Sequence, residues 1–475
     1  MEKLLKTNLY RHQEDAVSFA IKNNAKCAIF HEPGLGKTRT CLEIFKHYKA
    51  KEPHLRLLVV CPLSLINSAW GEDIKKFTSF SYLPFKTLKN TLPDILIINY
   101  EALISIKYIL PLQKLIQGRS FMCVLDESAR LKNHKSLTAR ELLGLSRYFK
   151  YRLIASGCPF PNSELELWAQ INFIQPGVLH SSFYAFRNTY FHLERNGQTY
   201  AASGKIMTRD VMRQILSHGW RYSITEEKRK ELMDTIEPFT HWVKKKDALD
   251  LPEKIDQVRE VKLNRFEQEA YTQMRDYLVA EIKGKEIVAQ VALTKLMKLR
   301  QATSGFFYAE DGKTVVIGSN PSKLKELMEI IEELGREPVI IWANFKQEIQ
   351  AILARLRYVY GQDCAVTLYS DTDDRDDALT KFKTGQARFI IAHPASMAHG
   401  VTLTNCSTQI FYSISYSYEQ YMQARDRIHR ISQNKTCLYI HLIAKDTIDE
   451  QILAVVQKKQ SIQDVVYQIL GDKHA

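Results

Sequence analysis

No stretch of ~18 uncharged apolar residues occurs in this sequence, so nothing in it reads as a membrane span. No Cys-x-x-Cys pair occurs either. The eight cysteines, at 27, 41, 61, 123, 158, 364, 406 and 437, are scattered and mostly sit in apolar runs. That pattern predicts buried reduced thiols and argues against zinc sites or a disulfide framework. Glycine and proline are modest, at 19 and 14 residues, and 45% of the chain is hydrophobic, which excludes collagen-like and disordered classes. There is no short-period repeat and no low-complexity tract. The segment Met1 to Lys6 lacks a signal peptide's apolar core. The expectation is a soluble, cytoplasmic chain with no membrane partner.

What is present is length, charge and rhythm. At ~100–200 residues per domain, 475 residues predict two to four domains. Lys and Arg number 66 against 53 Asp and Glu, a surplus of +13 that fits a polyanionic partner without naming one. Short apolar runs alternate with helical patterns, the signature of α/β layers around parallel sheets. The first half offers strands at Cys27–Phe30, Leu57–Cys61, Ile95–Ile98, Phe121–Leu125 and Tyr151–Ala155. The second offers Val339–Trp342, Ala365–Leu368, Phe389–Ala392, Gln409–Tyr412 and Cys437–Leu442. Between them, 176–250 breaks the rhythm and carries the basic run Lys244-Lys245-Lys246. The economical reading is an α/β protein of two parallel-sheet lobes, 1–250 and 251–475, with a basic helical insert at about 176–240 in the first.

The first chemistry-bearing motif follows the first strand. His31-Glu32-Pro33-Gly34-Leu35-Gly36-Lys37-Thr38 leads into a helical pattern. A glycine loop between strand and helix lets backbone N–H groups wrap phosphate oxygens. Lys37 is then placed to reach the β- and γ-phosphates, and Thr38 to ligate Mg²⁺. The leading glycine of the usual phosphate loop is missing, because His31 stands there. About 90 residues on, Phe121–Leu125 delivers Asp126-Glu127 at its C-terminal end, where parallel-sheet sites assemble. Asp126 suits a metal ion and Glu127 the polarisation of an attacking water.

Asp126-Glu127-Ser128-Ala129-Arg130-Leu131-Lys132-Asn133 resembles the DEAHRxKN box of Swi/Snf-type ATPases of helicase superfamily 2. Further segments resemble that family's motifs in order. Leu9-Tyr10-Arg11-His12-Gln13 is similar to its glutamine motif, and Glu32 to Thr38 to its E-M-G-L-G-K-T loop. Cys61-Pro62-Leu63-Ser64 and Asn99-Tyr100-Glu101 resemble motifs Ia and Ic; Ser156-Gly157-Cys158-Pro159, Asn162-Ser163 and Glu166-Leu167-Trp168 resemble SGTP…NS…ELW. In the second lobe, Val339–Phe345 resembles motif IV and His393 to Leu403 motif V. Gln423 to Gln433 is similar to the QAxxRxHRxGQ of motif VI, the most specific of these elements.

The resemblance implies two RecA-like lobes and an ATP- and Mg²⁺-dependent motor that translocates on double-stranded DNA without sequence preference. Its catalytic set is Lys37, Asp126, Glu127, Arg427 and Arg430, the last two as arginine fingers worth ~10³–10⁵ in rate. Nucleotide contacts fall on Gln13, Arg11, Pro33, Gly34, Leu35, Gly36, Lys37, Thr38 and Gly400; metal contacts fall on Thr38 and Asp126. A nucleic-acid track falls on Ser64, Tyr100, Lys132, Asn133, Asn344 and Ser396. The sequence departs from the family at Ala129, Cys158, Thr402 and Ser432, none of them a phosphate, metal or finger residue. Ala129, in place of a histidine, removes one polar link expected between the nucleotide and the Ser156–Pro159 segment. The compact motif layout points to bacterial and phage-encoded members.

Two other functions compete. One is a strand-separating helicase on DNA or RNA, although no wedge element is identifiable. The other is a non-catalytic nucleic-acid-binding module, against which the intact catalytic set argues. The insert also carries two readings: its interleaved basic and aromatic residues suit a nucleic-acid surface, or a solvated helical face over a small aromatic core.

Overall fold

The computed structural model describes residues 8–89, 91–195, 198–199, 220–248, 251–282, 289–309, 313–318, 320–397, 401–430 and 433–457. The chain divides into two compact units, Met1–Leu249 and Asp250–Ala475.

The first unit is built on a seven-stranded sheet. Its strands are β1 (Lys26–His31), β2 (Arg56–Cys61), β3 (Tyr82–Pro84), β4 (Ile95–Asn99), β5 (Phe121–Asp126) and β6 (Tyr151–Ala155), with a later edge strand at Thr240–Val243. All pairings are parallel, in the order Thr240–Val243, β1, β6, β5, β2, β4, β3. β4 and β5 are buried along their whole length, as expected of strands covered on both faces. Alternate side chains enter two apolar layers, Leu58, Val60 and Leu125 on one face and Leu57, Val59 and Val124 on the other. Apart from the glutamine motif, which precedes β1 on the helix Arg11–Lys22, the motif segments of this unit follow the carboxyl ends of its strands, on one rim of the sheet.

The segment after β6 holds helices Phe183–Tyr190 and Glu226–Ile236 and also a small antiparallel sheet. Its strands are β7 (His192–Arg195), β8 (Gln198–Thr199) and β9 (Arg221–Ser223). The insert is therefore mixed rather than helical alone. The edge strand Thr240–Val243, now β10, lies in a stretch whose polarity reads as linker. It forms a strand because β1 offers it a free edge, pairing Ala28 with Thr240 through His31 with Val243.

The second unit carries a six-stranded parallel sheet. Its strands are β11 (Lys254–Val261), β14 (Val339–Trp342), β15 (Ala365–Leu368), β16 (Phe389–Ala392), β17 (Thr408–Phe411) and β18 (Cys437–Ala444); the short pair β12 (Phe306–Tyr308) and β13 (Thr314–Val316) is separate. The order is β11-β18-β17-β14-β16-β15. β11 pairs with β18 over eight residues although most of its side chains are exposed, so its backbone ladder rather than burial holds it. The fold is thus two parallel α/β lobes, as the alternating runs predict.

Candidate nucleotide site

The phosphate loop bends where glycine permits it. Gly34 and Gly36 sit at φ 92° and 74°, in left-handed backbone that residues with a Cβ avoid. Gly36 caps the helix Lys37–Lys51, so the helix's free N–H groups face the loop. A Cβ on Gly36 would also lie 2.2 Å from Gln13 Nε2. Gln13, on the helix Arg11–Lys22, donates from Nε2 to Leu35 O at 3.2 Å and to Gly36 O at 3.4 Å, while His12 Nε2 lies 3.0 Å from Leu35 O. The glutamine-motif residues therefore brace the loop directly; Arg11 is exposed at the helix start. Lys37 Nζ donates to His31 O at 3.0 Å. Pro33, Gly34, Lys37 and Thr38 are partly exposed and Leu35 is buried. Gly157 packs on the loop so closely that a Cβ there would lie 2.7 Å from Pro33 Cγ.

The histidine in the missing glycine's place is not exposed to the loop's mouth. His31 is fully buried, with Nε2 2.8 Å from His241 Nδ1 on β10. Burial, then the neighbouring His241, Lys37 and His12, hold its imidazole neutral far below the ordinary range. Glu32 continues the connection: its N–H donates to Val243 O at 3.1 Å, and its carboxylate accepts from Lys245 N at 3.0 Å.

At the end of β5, Asp126 is 5% exposed and held by three donors. Trp70 Nε1 donates to Oδ2 at 2.9 Å, Glu127 N to Oδ1 at 3.0 Å, and the Tyr100 hydroxyl to its backbone carbonyl at 2.8 Å. Burial and then the charge of Glu127 push its carboxyl up to about 6, against the pull of Lys37. Glu127 adopts φ 53°, ψ 53°, a left-handed conformation unusual for a side-chain-bearing residue and one that turns the chain sharply. Ser128 then donates to Gln170 Oε1 at 2.7 Å, and Gln170 Nε2 donates to Pro159 O at 2.6 Å. This relay supplies a polar link between the acidic segment and the Ser156–Pro159 segment despite Ala129.

Among the described residues, no group of three or more His, Cys, Asp or Glu could hold a metal alone. Mg²⁺ in a phosphate site keeps its waters and binds through one or two protein oxygens plus substrate phosphates. The buried carboxylate of Asp126, close enough to feel the charge of Lys37, has the chemistry for one such oxygen.

In the second unit, Arg427 is 3% exposed and donates from Nη1 to Val401 O at 3.4 Å. Arg430, partly exposed, donates to the Thr402 hydroxyl at 2.8 Å and to Asp426 O at 3.0 Å. Gly400 and Ser432 lie outside the described residues. The motif's first arginine, Arg425, forms a two-pronged ion pair with Asp256 of β11.

The candidate track residues divide by exposure. Lys132 and Asn133 are exposed, and Ser64 and Ser396 partly so. Asn344 is partly buried, its Nδ2 donating to Ser413 O at 2.8 Å. Tyr100 is 3% exposed and its hydroxyl is committed to Asp126, so it shapes the acidic turn from within. Sequence reading missed Trp70 and Gln170; neither stands in a motif, and each reaches the site across more than 40 residues of chain.

Residues 12–305 match the SNF2-related domain, and residues 322–432 the helicase conserved C-terminal domain. Protein p41 of Acyrthosiphon pisum secondary endosymbiont phage 1 is 25% identical over 469 residues, covering 93% of this chain and 94% of that one. The chromatin structure-remodeling complex subunit snf21 of Schizosaccharomyces pombe is 25% identical over 481 residues, covering 94% of this chain but 38% of that one. Transcription regulatory protein SNF2 of Saccharomyces cerevisiae is 24% identical over 483 residues, covering 94% and 27%. The chain thus spans nearly all of the phage relative and well under half of the yeast ones. Among solved structures, the Sulfolobus solfataricus SWI2/SNF2 ATPase core in complex with dsDNA aligns with a TM-score of 0.44 and 23% identity, over 95% of this chain and 91% of that one.

Proposed function

We propose that this chain, which belongs to the SNF2-related family and is an ATP hydrolase, uses hydrolysis to move along double-stranded DNA without sequence preference. The observation that carries the reading is the single rim of the first sheet. There a glycine loop capped by a helix N-terminus lies on the same sheet edge as a buried Asp126 followed by Glu127.

In this reading the loop N–H groups and Lys37 bind the triphosphate. Bound Mg²⁺, held by Thr38 and Asp126, would neutralise phosphate charge. Glu127 takes the proton from the attacking water, standing at the sharp backbone turn that follows Asp126. Arg427 and Arg430 supply positive charge to the transition state. Lys132, Asn133, Ser64, Asn344 and Ser396 contact DNA phosphates, which carry no sequence information. Such a motor works where bacterial or phage DNA is found, in the cytoplasm.

The test is ATP turnover titrated with duplex DNA, single strands and RNA at rising salt, together with displacement of a third strand from a triplex. Stimulation by duplex DNA that weakens with salt, and third-strand displacement, are expected. A rate indifferent to every nucleic acid overturns the proposal, and unwinding of a tailed duplex replaces it with strand separation.

A further inference from the structure

The loop that follows the acidic pair ends on an exposed basic patch. Lys132, Asn133 and Lys135 are exposed there, and His134 between them is partly buried. His134 stacks on Phe183 with ring centroids 3.5 Å apart and planes 14° from parallel, which docks the loop on the insert helix Phe183–Tyr190. Phe183 and Phe186 of that helix turn toward the core, whereas Tyr184 is 49% exposed.

Two cations converge on the Tyr184 ring from different elements. Lys135 Nζ lies 5.9 Å from its centroid and the Arg187 guanidinium 5.3 Å, the latter also 4.6 Å from Tyr222. Among the described residues, neither Lys135 nor Arg187 has a carboxylate partner. Arg187 donates only to the Asn188 side chain, at 2.9 and 3.1 Å. Their combined charge also helps hold His134 neutral: after burial, Lys135 and Arg187 are what lower its imidazole, to about 4.

Two like charges gathered over one ring, with no acid paired to them among the described residues, form a site for an anion bearing an apolar face. A phosphodiester backbone has both, phosphate for the cations and sugar for the ring. The geometry points to Lys135, Tyr184 and Arg187 as a contact site for the DNA backbone, linked through the 128–134 turn to Glu127. The site rests on the reading of the partner as DNA, and it assigns to the described part of the insert the nucleic-acid surface left open by its composition. The turn gives it a second consequence: DNA seated there bears on the acidic pair eight residues away along the chain.

The experiment is full-chain binding to a fluorescent duplex of mixed sequence, with Kd measured across a salt series. The paired substitution Lys135→Ala with Arg187→Ala is expected to flatten log Kd against log salt by about 2, ~1 per lost phosphate contact. The charge-preserving pair Lys135→Arg with Arg187→Lys should keep the slope. If the wild type binds duplex and both pairs leave the slope unchanged, the site is wrong while the DNA-motor reading stands. Flattening by both pairs alike would mean a merely structural role and also overturns it. A wild type that binds no duplex overturns both readings. Repeating the series with a single strand shows whether Tyr184→Ala weakens that arm more, the sign of base stacking instead of sugar contact.

Discussion

The indole Nε1 of Trp70 donates a 2.9 Å hydrogen bond to Oδ2 of Asp126, joining the turn after β2 to the end of β5. Trp70 is fully buried, so this donor is fixed in place before any nucleotide arrives. It leaves the carboxylate oriented and partly satisfied in an apolar setting, where an unmet acceptor costs ~1–3 kcal/mol. Trp70→Phe keeps an aromatic ring and removes the donor. Turnover should fall by ~10–100-fold, the range for supporting groups around a metal ligand. The loss should appear in kcat more than in KM for ATP, measured by steady-state hydrolysis at saturating Mg²⁺.

Asp126 itself trades stability for chemistry. Its carboxyl takes up a proton near pH 6 in the metal-free fold and near 3.8 when exposed. A folded-state value above the unfolded one means its favourable contribution is full below the unfolded value and is lost as pH rises through the folded one. At pH 8 the buried charge therefore opposes folding, by on the order of 1–3 kcal/mol. Asp126→Asn should abolish hydrolysis yet raise the Tm of the nucleotide- and metal-free protein at pH 8. That gain should hold from pH 8 until pH falls to about 6, and shrink from there as thermal unfolding is repeated down to pH 5.

Glu32 ties the phosphate loop to the last residues of the first unit. Its carboxylate accepts from Lys245 N, and the chain passes to the second unit only a few residues later. Glu32→Ala should release that amide while Glu32→Gln, which can still accept, should retain it. Hydrogen exchange read on peptides spanning 241–248 should be faster in the alanine variant and near wild type in the glutamine variant.

The two candidate fingers differ in burial. Arg427 is buried and donates to the Val401 carbonyl, whereas Arg430 is partly exposed. Both alanine substitutions should lower turnover by ~10³-fold or more with smaller changes in nucleotide affinity. Only Arg427→Ala should also lower stability, by roughly 1–3 kcal/mol, visible as a lower Tm without nucleotide.

The scattered cysteines, the ordered motifs and the alternating apolar runs made the two α/β lobes and the phosphate loop legible. The reason is local: a buried parallel strand must be a short apolar run, and a phosphate loop must be glycine between strand and helix. The strand β10 was not legible, because it is only four residues long, it sits in a polar and basic stretch, and its pairing partner β1 lies over 200 residues away. The polar relay from Ser128 through Gln170 to the Ser156–Pro159 segment was likewise not legible, because Ser128 and Gln170 meet across 42 positions of sequence.

By itself, then, the low-cysteine-pair, glycine-sparing sequence determined the class of fold, the family motifs and the order in which their candidate site residues stand. Tertiary structure alone decided which groups hold them: Trp70 and Tyr100 on Asp126, Gln13 on the loop, and His31 against His241. It also decided that Tyr100 faces inward and that Lys135 and Arg187 share one exposed ring. Motifs record what the chemistry needs at fixed spacing along the chain. Hydrogen-bond support and charge convergence depend on distances through space, which spacing along the chain does not encode.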